Sequence, residues 1–220
     1  MKIGVIGTGV VGEALATALV DRGHNVKLGS RTNGTDKSKE WAKKQGELAS
    51  VGTFNDAAAY GDLMFVCLNG EHVLNVIANN INAENLDGKI IVDVTNPLNF
   101  SQGMPPSILN AYRDVSLAEH IQQAAPNAYV VKALNTVNYK LMVDARIVND
   151  ASHHLFICGD NADAKNKVKH FLVDNFYWKP EDLIDLGGIQ SARCTEAIVP
   201  FWVLVYQSQG TPLFNFKIVK

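Results

Sequence analysis

The sequence predicts an α/β fold around a mainly parallel sheet, and three observations support this prediction. Short apolar runs alternate with helix-like segments over the first 150 residues, which is typical of repeated strand–helix units. Two of these runs, Leu63–Leu68 and Lys89–Val94, are almost continuously hydrophobic, as strands buried on both faces are. A glycine-rich turn joins the first strand to the first helix. Together these features indicate a doubly wound sheet with helices on both faces.

The elements of this sheet follow one another in a regular order. Before the two apolar runs, the predicted strands are Lys2–Ile6, Val26–Leu28 and a short strand around Val51. After them, a sixth strand covers Tyr129–Ala133. The predicted helices, placed by apolar spacing and by the glycines or capping residues at their ends, are Val11 to Gly23, Lys37–Gln45, Asn55–Tyr60, Glu71–Asn79 and one opening with the capping box Ser116–Glu119. Residues 97–115, rich in Pro and Gly, predict a loop.

The last 70 residues are less regular and predict a small α/β segment packed on the sheet. Its predicted elements, in order, are a strand Leu155–Cys158, a helix Ala162–Asn175, a strand Leu183–Asp185, a long apolar helix Ala192–Tyr206 that must be buried, and a strand-like tail Phe214–Val219. We therefore expect a dinucleotide-binding domain over residues 1–150 and a C-terminal segment over 151–220 that completes the substrate crevice.

Composition excludes several classes of function. A net charge of −2 gives no global electrostatic reason to bind nucleic acid or an anionic membrane. No apolar stretch reaches the roughly 18 residues that a membrane span needs, and the first strand begins at Lys2, without room for a secretory signal, so we expect a cytoplasmic protein. The three cysteines form no Cys-x-x-Cys motif and are expected to be buried thiols, and His153–His154 lacks partners at ligand spacing, so no metal site is expected.

The turn after the first strand has the pattern G-x-G-x-x-G, between a strand and a helix. The first glycine permits the tight turn, the second lets the backbone approach a pyrophosphate, and the third lets helix and strand pack closely. This context predicts a Rossmann fold that binds a dinucleotide at the helix N-terminus; a glycine turn that serves packing alone is the alternative. The predicted binding residues here are Gly7, Thr8, Gly9, Val10, Val11 and Gly12.

The end of the second strand indicates which dinucleotide binds. An acidic residue at this position would hydrogen-bond the ribose of NAD(H) and repel a 2′-phosphate. Instead the sequence offers the hydroxyls of Ser30 and Thr32 and the guanidinium of Arg31, with Lys37 as a further cation, while Asp36 is expected in the following helix turn. Guanidinium groups suit bidentate phosphate contacts. The sequence therefore predicts a preference for NADP(H).

Three further strand ends should line the same crevice, because ligands of open α/β sheets bind at the carboxyl ends of the strands. Their asparagines could hydrogen-bond the nicotinamide ribose or carboxamide, although Asn is also an ordinary turn residue. A histidine at a helix start could contact substrate or simply be exposed. The candidate residues are Leu68, Asn69, His72, Asn96, Pro97, Ala133, Leu134 and Asn135.

Taken in order, these motifs resemble the family of NADP oxidoreductases dependent on coenzyme F-420, a deazaflavin. The similarity runs nearly end to end, and the cytoplasmic domains of STEAP metalloreductases, which pass electrons from NADPH to flavin, look similar too. Asn99–Pro106 matches no ring-binding motif that would identify the acceptor. The motifs that carry the resemblance are the glycine turn, Gly29–Arg31, Asp93–Pro97, Val131–Thr136, Ile157–Asp160 and the tail at Lys217.

The resemblance implies hydride exchange between NADP(H) and a flavin-like ring, either F-420 or FMN/FAD, and a homodimer. Two hydride carriers need mainly positioning, so the absence of an obvious acid–base pair is compatible with catalysis, and no catalytic residue is predicted. Lys132 is expected to be a structural residue pointing outward from its strand. Two alternatives remain: a reductase of C=O or C=N substrates, whose families have a larger helical C-terminal domain, and a non-catalytic NADPH sensor.

Overall fold

The computed structural model describes all 220 residues and contains a six-stranded parallel sheet with the strand order β3-β2-β1-β4-β5-β8. Strand order reverses direction at β1, and helices cover both faces, so the predicted doubly wound Rossmann fold is confirmed. The strands of this sheet are β1 (Lys2–Ile6), β2 (Asn25–Ser30), β3 (Ala49–Thr53), β4 (Leu63–Val66), β5 (Ile90–Asp93) and β8 (Tyr129–Lys132).

Hydrophobic cores lie on the two faces of this sheet. Leu63 and Phe65 belong to one core, and Met64 and Val66 belong to the other, because successive strand residues point to opposite faces. The first core also contains Trp178 from the C-terminal segment. The C-terminal segment therefore packs directly against the sheet, and the division at residue 150 stays a prediction.

Nine α-helices connect and cover the strands. Several begin with side-chain caps, and the predicted capping box at Ser116 is confirmed, with Glu119 bonding back to the Ser116 amide at 2.7 Å. The helix after β4 begins two residues later than predicted, because the Asn69 side chain accepts from the Glu71 amide and holds a turn there. The helices are α1 (Val10–Asp21), α2 (Asp36–Gln45), α3 (Phe54–Tyr60), α4 (Val73–Asn79), α5 (Leu117–Ala124), α6 (Tyr139–Val143), α7 (Ala162–Phe176), α8 (Ala192–Ala197) and α9 (Val199–Gln209).

Two small sheets complete the structure. The predicted loop 97–115 contains a short antiparallel hairpin of β6 (Leu98–Asn99) and β7 (Ser107–Ile108), strands too short to leave a sequence pattern. In the C-terminal segment, β9 (Leu155–Ile157) and β10 (Leu183–Asp185) pair in parallel, as the predicted strands there suggested. A bridge between Lys132 and Cys158 links this pair to β8.

The predicted long C-terminal helix is wrong in two respects. It divides into α8 and α9 around Ile198, with Pro200 in the first turn of α9, where a missing N–H costs nothing. It is also not buried within one chain: only Val199 and Val203 of α9 are buried, while Phe201 is 54% exposed and Leu204 is 46% exposed. An apolar helix face thus remains at the surface.

Two further expectations also need correction. The tail Phe214–Val219 forms no strand; it is an extended segment whose Phe216 carbonyl accepts a hydrogen bond from the His154 amide at 3.0 Å. The three cysteines are not all buried as expected: Cys158 is buried, Cys67 is partly buried, and Cys194 on helix α8 is exposed. No helix of the structure has the length and apolar character needed to cross a bilayer.

Candidate functional site

A cavity of about 510 Å³ lies at the carboxyl ends of β1, β2 and β4. It brings together residues from three predicted strand ends, with Phe54 and Val76 forming an apolar side. A larger cavity, about 730 Å³, lies at the opposite edge of the sheet, beside Met1, Asp62 and Tyr129. Because parallel sheets bind ligands at the carboxyl ends of their strands, the smaller cavity is the candidate site. The predicted residues that line it are Gly7, Thr8, Gly9, Ser30, Arg31, Thr32, Leu68, Asn69 and His72.

The three glycines of the turn differ in what surrounds them. At Gly7, where φ is +121°, a Cβ atom would lie 2.6 Å from the carbonyl oxygen of Cys67, and at Gly12 it would overlap the carbonyl of Gly7. Packing within the protein therefore accounts for both. Gly9 has an ordinary φ of −74° and a Cβ there would meet nothing within 4 Å. No contact within the protein requires a glycine at that position.

The open space at Gly9 lies at the start of helix α1, which has no side-chain cap. Gly9 is the N-cap of α1 and provides no side-chain cap, so the first amides of the helix have no side-chain acceptor. An open backbone cradle, free N–H groups and the positive end of a helix dipole together suit a pyrophosphate. The turn therefore fits the diphosphate of a dinucleotide.

The turn after β2 presents a free guanidinium to the cavity. Ser30 is buried, and its hydroxyl donates to the Thr32 carbonyl at 2.6 Å, which fixes the shape of the turn. Arg31 is exposed and forms no hydrogen bond or ion pair. Lys37 instead pairs with Glu13 on α1 at 2.7 Å and does not line the cavity. Asp36 begins α2, as predicted.

Asn96 and Asn135 join the carboxyl ends of β5 and β8. Asn135 Nδ2 donates to Asn96 Oδ1 at 2.9 Å and to the Thr195 carbonyl at 2.8 Å, and Asn96 Nδ2 donates to the Asn135 carbonyl at 2.8 Å. Because backbone carbonyls only accept, both amide orientations are determined. Asn135 Oδ1 is consequently a buried acceptor without a partner. This oxygen lies in the interior, next to the carboxyl ends of β5 and β8, and it does not line the cavity.

The remaining predicted residues do not line the cavity. Leu134 adopts a left-handed φ of +65°, and both Leu134 and Ala133 are buried. Pro97 is buried too, and the cavity lining does not include it. The other predicted residues that do not line the cavity are Val10, Val11, Gly12, Lys37, Asn96 and Asn135.

Lys132 does not point outward as predicted. It is 1% exposed and its ammonium contacts Asp93 at 2.9 Å, Glu196 at 2.8 Å and the Thr95 carbonyl at 2.6 Å. Burial works to lower the pKa of Lys132, but the two carboxylates outweigh burial and hold that pKa above its usual value. Sequence reasoning missed Glu196, although it is the last charged residue before 20 uncharged ones, residues 197–216.

Comparison with known proteins agrees with this geometry. The sequence profile of the family described as NADP oxidoreductase coenzyme F420-dependent matches residues 2–97. The F420-dependent NADP reductase of Methanocaldococcus jannaschii is 31% identical, covering 96% of each chain. A crystal structure of a candidate F420-dependent NADP reductase from Arthrobacter sp. FB24 is 40% identical over 100% of both chains, with a TM-score of 0.91.

The chain belongs to the F420-dependent NADP oxidoreductase family. It is therefore an NADP-dependent oxidoreductase, as the motifs predicted. Metalloreductase STEAP3 of Rattus norvegicus is 31% identical over 91% of this chain, which corresponds to 38% of that longer protein. A reductive aminase from Aspergillus terreus is 19% identical with a TM-score of 0.64, a likeness that shows the fold alone.

His153 and His154, which the sequence leaves without metal partners, have other roles. His153 bonds the Ala145 carbonyl through Nε2 and the Asn215 side chain through Nδ1, while His154 accepts from the Ile218 amide. No group of three or more His, Cys, Asp or Glu side chains is arranged to hold a metal ion. Both histidines instead hold the C-terminal tail.

Proposed function

We propose that this oxidoreductase transfers a hydride between the nicotinamide of NADP(H) and a flavin-like ring, with the deazaflavin F420 as the first candidate. The observation that carries the proposal is the open cradle at Gly9 beside the unpaired Arg31. The named activity of the similar protein from Methanocaldococcus jannaschii supports F420 as the acceptor. FMN or FAD is the second candidate, supported by the similarity to a metalloreductase.

Each part of the crevice has a proposed task. The turn from Gly7 to Gly12 holds the pyrophosphate, and Ser30, Arg31 and Thr32 hold the 2′-phosphate, with Lys37 as an outer cation. Leu68, Asn69 and His72 face the adenosine side. Asn96, Pro97 and the segment Ala133–Asn135 form the wall beside the nicotinamide. When bound, NADPH supplies the hydride, and the protein contributes binding and orientation.

Two other functions predict different results in the same assay. A carbonyl or imine reductase would oxidise NADPH only with those substrates, and a sensor would bind NADPH without turnover. We expect the purified protein to oxidise NADPH with F420 or a flavin, and not with simple ketones or cyclic imines. Turnover confined to carbonyl or imine substrates would contradict the proposal, and tight NADPH binding without any turnover would favour the sensor.

We further propose that the exposed face of α9 binds a second copy of the chain. Residues 197–216 carry no charged side chain, and Phe201, Leu204, Tyr206 and Leu213 are each at least 36% exposed. Large apolar side chains exposed together on one helix and on the segment after it favour an interaction site. A lipid surface is a poor alternative, because helices that lie on membranes carry Lys or Arg on their polar face. Sedimentation should show a dimer that Leu204→Glu dissociates; a monomeric wild-type protein would contradict this.

A further inference from the structure

A buried ion cluster lies directly beneath the carboxyl ends of β5 and β8. Its members are Asp93, Lys132 and Glu196, none more than 2% exposed. Asp93 accepts from Lys132 and from the amide and hydroxyl of Thr95, and Glu196 accepts from Lys132 and from the first two amides of α5. Every contact of the two carboxylates is made with a donor. Donors alone are what the oxygens of a carboxylate require, because a carboxylate only accepts.

The cluster has a surplus of negative charge. One ammonium faces two carboxylates, so the formal net charge is −1, and no other cationic side chain pairs with Asp93 or Glu196. Amide dipoles at the start of α5 offset only part of this charge. Stability alone does not explain the arrangement, because well-packed apolar residues often stabilise a fold as well as a buried ion pair does.

The position of the cluster connects it to the proposed nicotinamide wall. Asp93 lies three residues before Asn96 on the same chain segment, and Lys132 lies three residues before Asn135. The carbonyl next to Glu196 in sequence, that of Thr195, accepts the hydrogen bond from the Asn135 amide. The cluster is thus hydrogen-bonded to the backbone of Thr95, which precedes Asn96, and Glu196 follows the residue whose carbonyl accepts from Asn135.

We propose that the Asp93–Lys132–Glu196 cluster is an electrostatic device that favours the oxidised, positively charged nicotinamide, an inference that rests on the proposed function. A hydride, which is one proton with two electrons, leaves C4 of NADPH and reduces the acceptor, and the nicotinamide ring gains a positive charge. A fixed negative charge in the protein interior stabilises the charged ring more than the neutral one. The cluster therefore tightens NADP⁺ binding relative to NADPH and makes bound NADPH a stronger hydride donor.

The ratio of the Kd values for NADP⁺ and NADPH, measured by titration, tests this inference. In Glu196→Gln the surplus charge is gone, and we expect NADP⁺ to weaken relative to NADPH by about three- to tenfold. The matched control is Asp185→Asn, which removes an ion-paired carboxylate that contacts Lys165 and no member of the cluster. Its ratio should stay near that of the wild type. Asp93→Asn removes the same charge from β5 and gives a second measurement if Gln at 196 disturbs α5.

Thermal unfolding of each variant establishes that it is folded at the titration temperature. An unchanged ratio in Glu196→Gln and Asp93→Asn, with both cofactors still bound, would overturn the inference and leave the proposed function intact. Equal shifts in Glu196→Gln and in the control Asp185→Asn would also overturn it, because the ratio would then not depend on the charge of this cluster. If the wild-type protein bound neither cofactor, the proposed function itself would fail.

Discussion

Among single residues, Arg31 should determine the choice between NADPH and NADH. It is exposed at the end of β2, lines the cavity and has no partner within the protein. A hydrogen bond to a charged group contributes about 1.5 to 3 kcal/mol, so Arg31→Ala should weaken NADPH binding by about ten- to a hundredfold and leave NADH nearly unchanged. Because the contact is exposed, added salt should reduce the preference of the wild-type protein.

Titration of both cofactors checks this prediction, and Lys37→Ala is its matched control. Lys37 is a nearby cation that pairs with Glu13, so its removal should change NADPH affinity less than the loss of Arg31 does. Equal losses of NADH and NADPH binding in Arg31→Ala would mean that Arg31 supports the fold or stacks on adenine, and the specificity argument would be wrong.

Replacement by alanine should have opposite effects at Gly9 and at Gly12. Gly9→Ala should keep its thermal stability, since the new methyl group meets no protein atom within 4 Å, but it should weaken NADPH binding by about tenfold or more because the methyl group occupies the pyrophosphate cradle. Gly12→Ala should destabilise the fold, since its Cβ would overlap the Gly7 carbonyl. Calorimetry and NADPH titration distinguish these outcomes; unchanged affinity in a folded Gly9→Ala protein would contradict the assigned turn.

The buried position and the ion pairs of Lys132 could not be predicted from the sequence. A lysine within a β pattern is usually explained by an outward-facing side chain, and its two carboxylate partners lie on β5 and α8, far away in sequence. Only the tertiary fold brings the three together. By contrast, the glycine turn and the turn at Arg31 are local features of the sequence, and Gly7–Gly9 and Ser30–Thr32 line the cavity.

At the scale of elements, the C-terminal tail is held by hydrogen bonds to His153 and His154. Asn215 Nδ2 donates to His153 Nδ1 at 2.9 Å and to the His154 carbonyl at 2.8 Å. Since the Ala145 carbonyl accepts from His153 Nε2, His153 must carry its proton there and keep Nδ1 unprotonated. A protonated His153 would lose the contact with Asn215, so acid should loosen the tail.

The protonation of His153 should therefore make the stability of the folded protein depend on pH. Burial lowers the pKa of His153 in the folded protein, while in the unfolded chain it titrates near about 6.5. The unfolded state then binds the proton more readily, so the stabilisation from neutral His153 is complete above that pH and declines as pH falls below it. Between pH 7.5 and 5, roughly the range in which histidine titrates, the Tm of the wild-type protein should fall as the pH is lowered. The Tm of His153→Phe should fall less steeply over the same range.

The control for this measurement is the exposed His170 on α7. His170→Gln should retain the wild-type decline of Tm with acid. If His153→Phe and the wild-type protein lost stability in parallel, His153 would not be the group responsible.

The elements that the sequence predicted poorly share a physical cause. The hairpin of β6 and β7 has two residues in each strand, too few for a hydrophobic period. The break between α8 and α9 occurs inside an uninterrupted apolar run, where helical spacing gives no boundary and only Pro200 marks one. Apolar and polar residues alternate in Phe214–Val219 as they do in a strand. The backbone of the segment nevertheless forms only individual hydrogen bonds there, one with the His154 amide and one with the His154 side chain.

At the scale of the whole molecule, the sheet was predictable because each of its six strands is either continuously apolar or joined to a glycine or capping signal. The two cores bury both faces of these strands, and buried parallel strands leave strong hydrophobic patterns. The carboxyl ends of β5 and β8 were less predictable, because Asn96, Asn135, Thr195 and Glu196 meet there from three separate parts of the chain. The cavity at the ends of β1, β2 and β4 is formed by local turns, whereas this region is formed by tertiary contacts.

Isotope transfer tests the central claim of direct hydride exchange most directly. NADPH carrying deuterium at C4, on one face and then on the other, would be mixed anaerobically with the protein and oxidised F420, and the reduced product examined by mass spectrometry. A deazaflavin accepts the hydride at carbon, so one of the two labelled cofactors should deliver its deuterium to the F420 ring, and Gly9→Ala should slow that transfer at low NADPH concentration. The account would be contradicted if neither labelled NADPH delivered deuterium to reduced F420. It would also be contradicted if the protein bound NADPH but did not reduce F420.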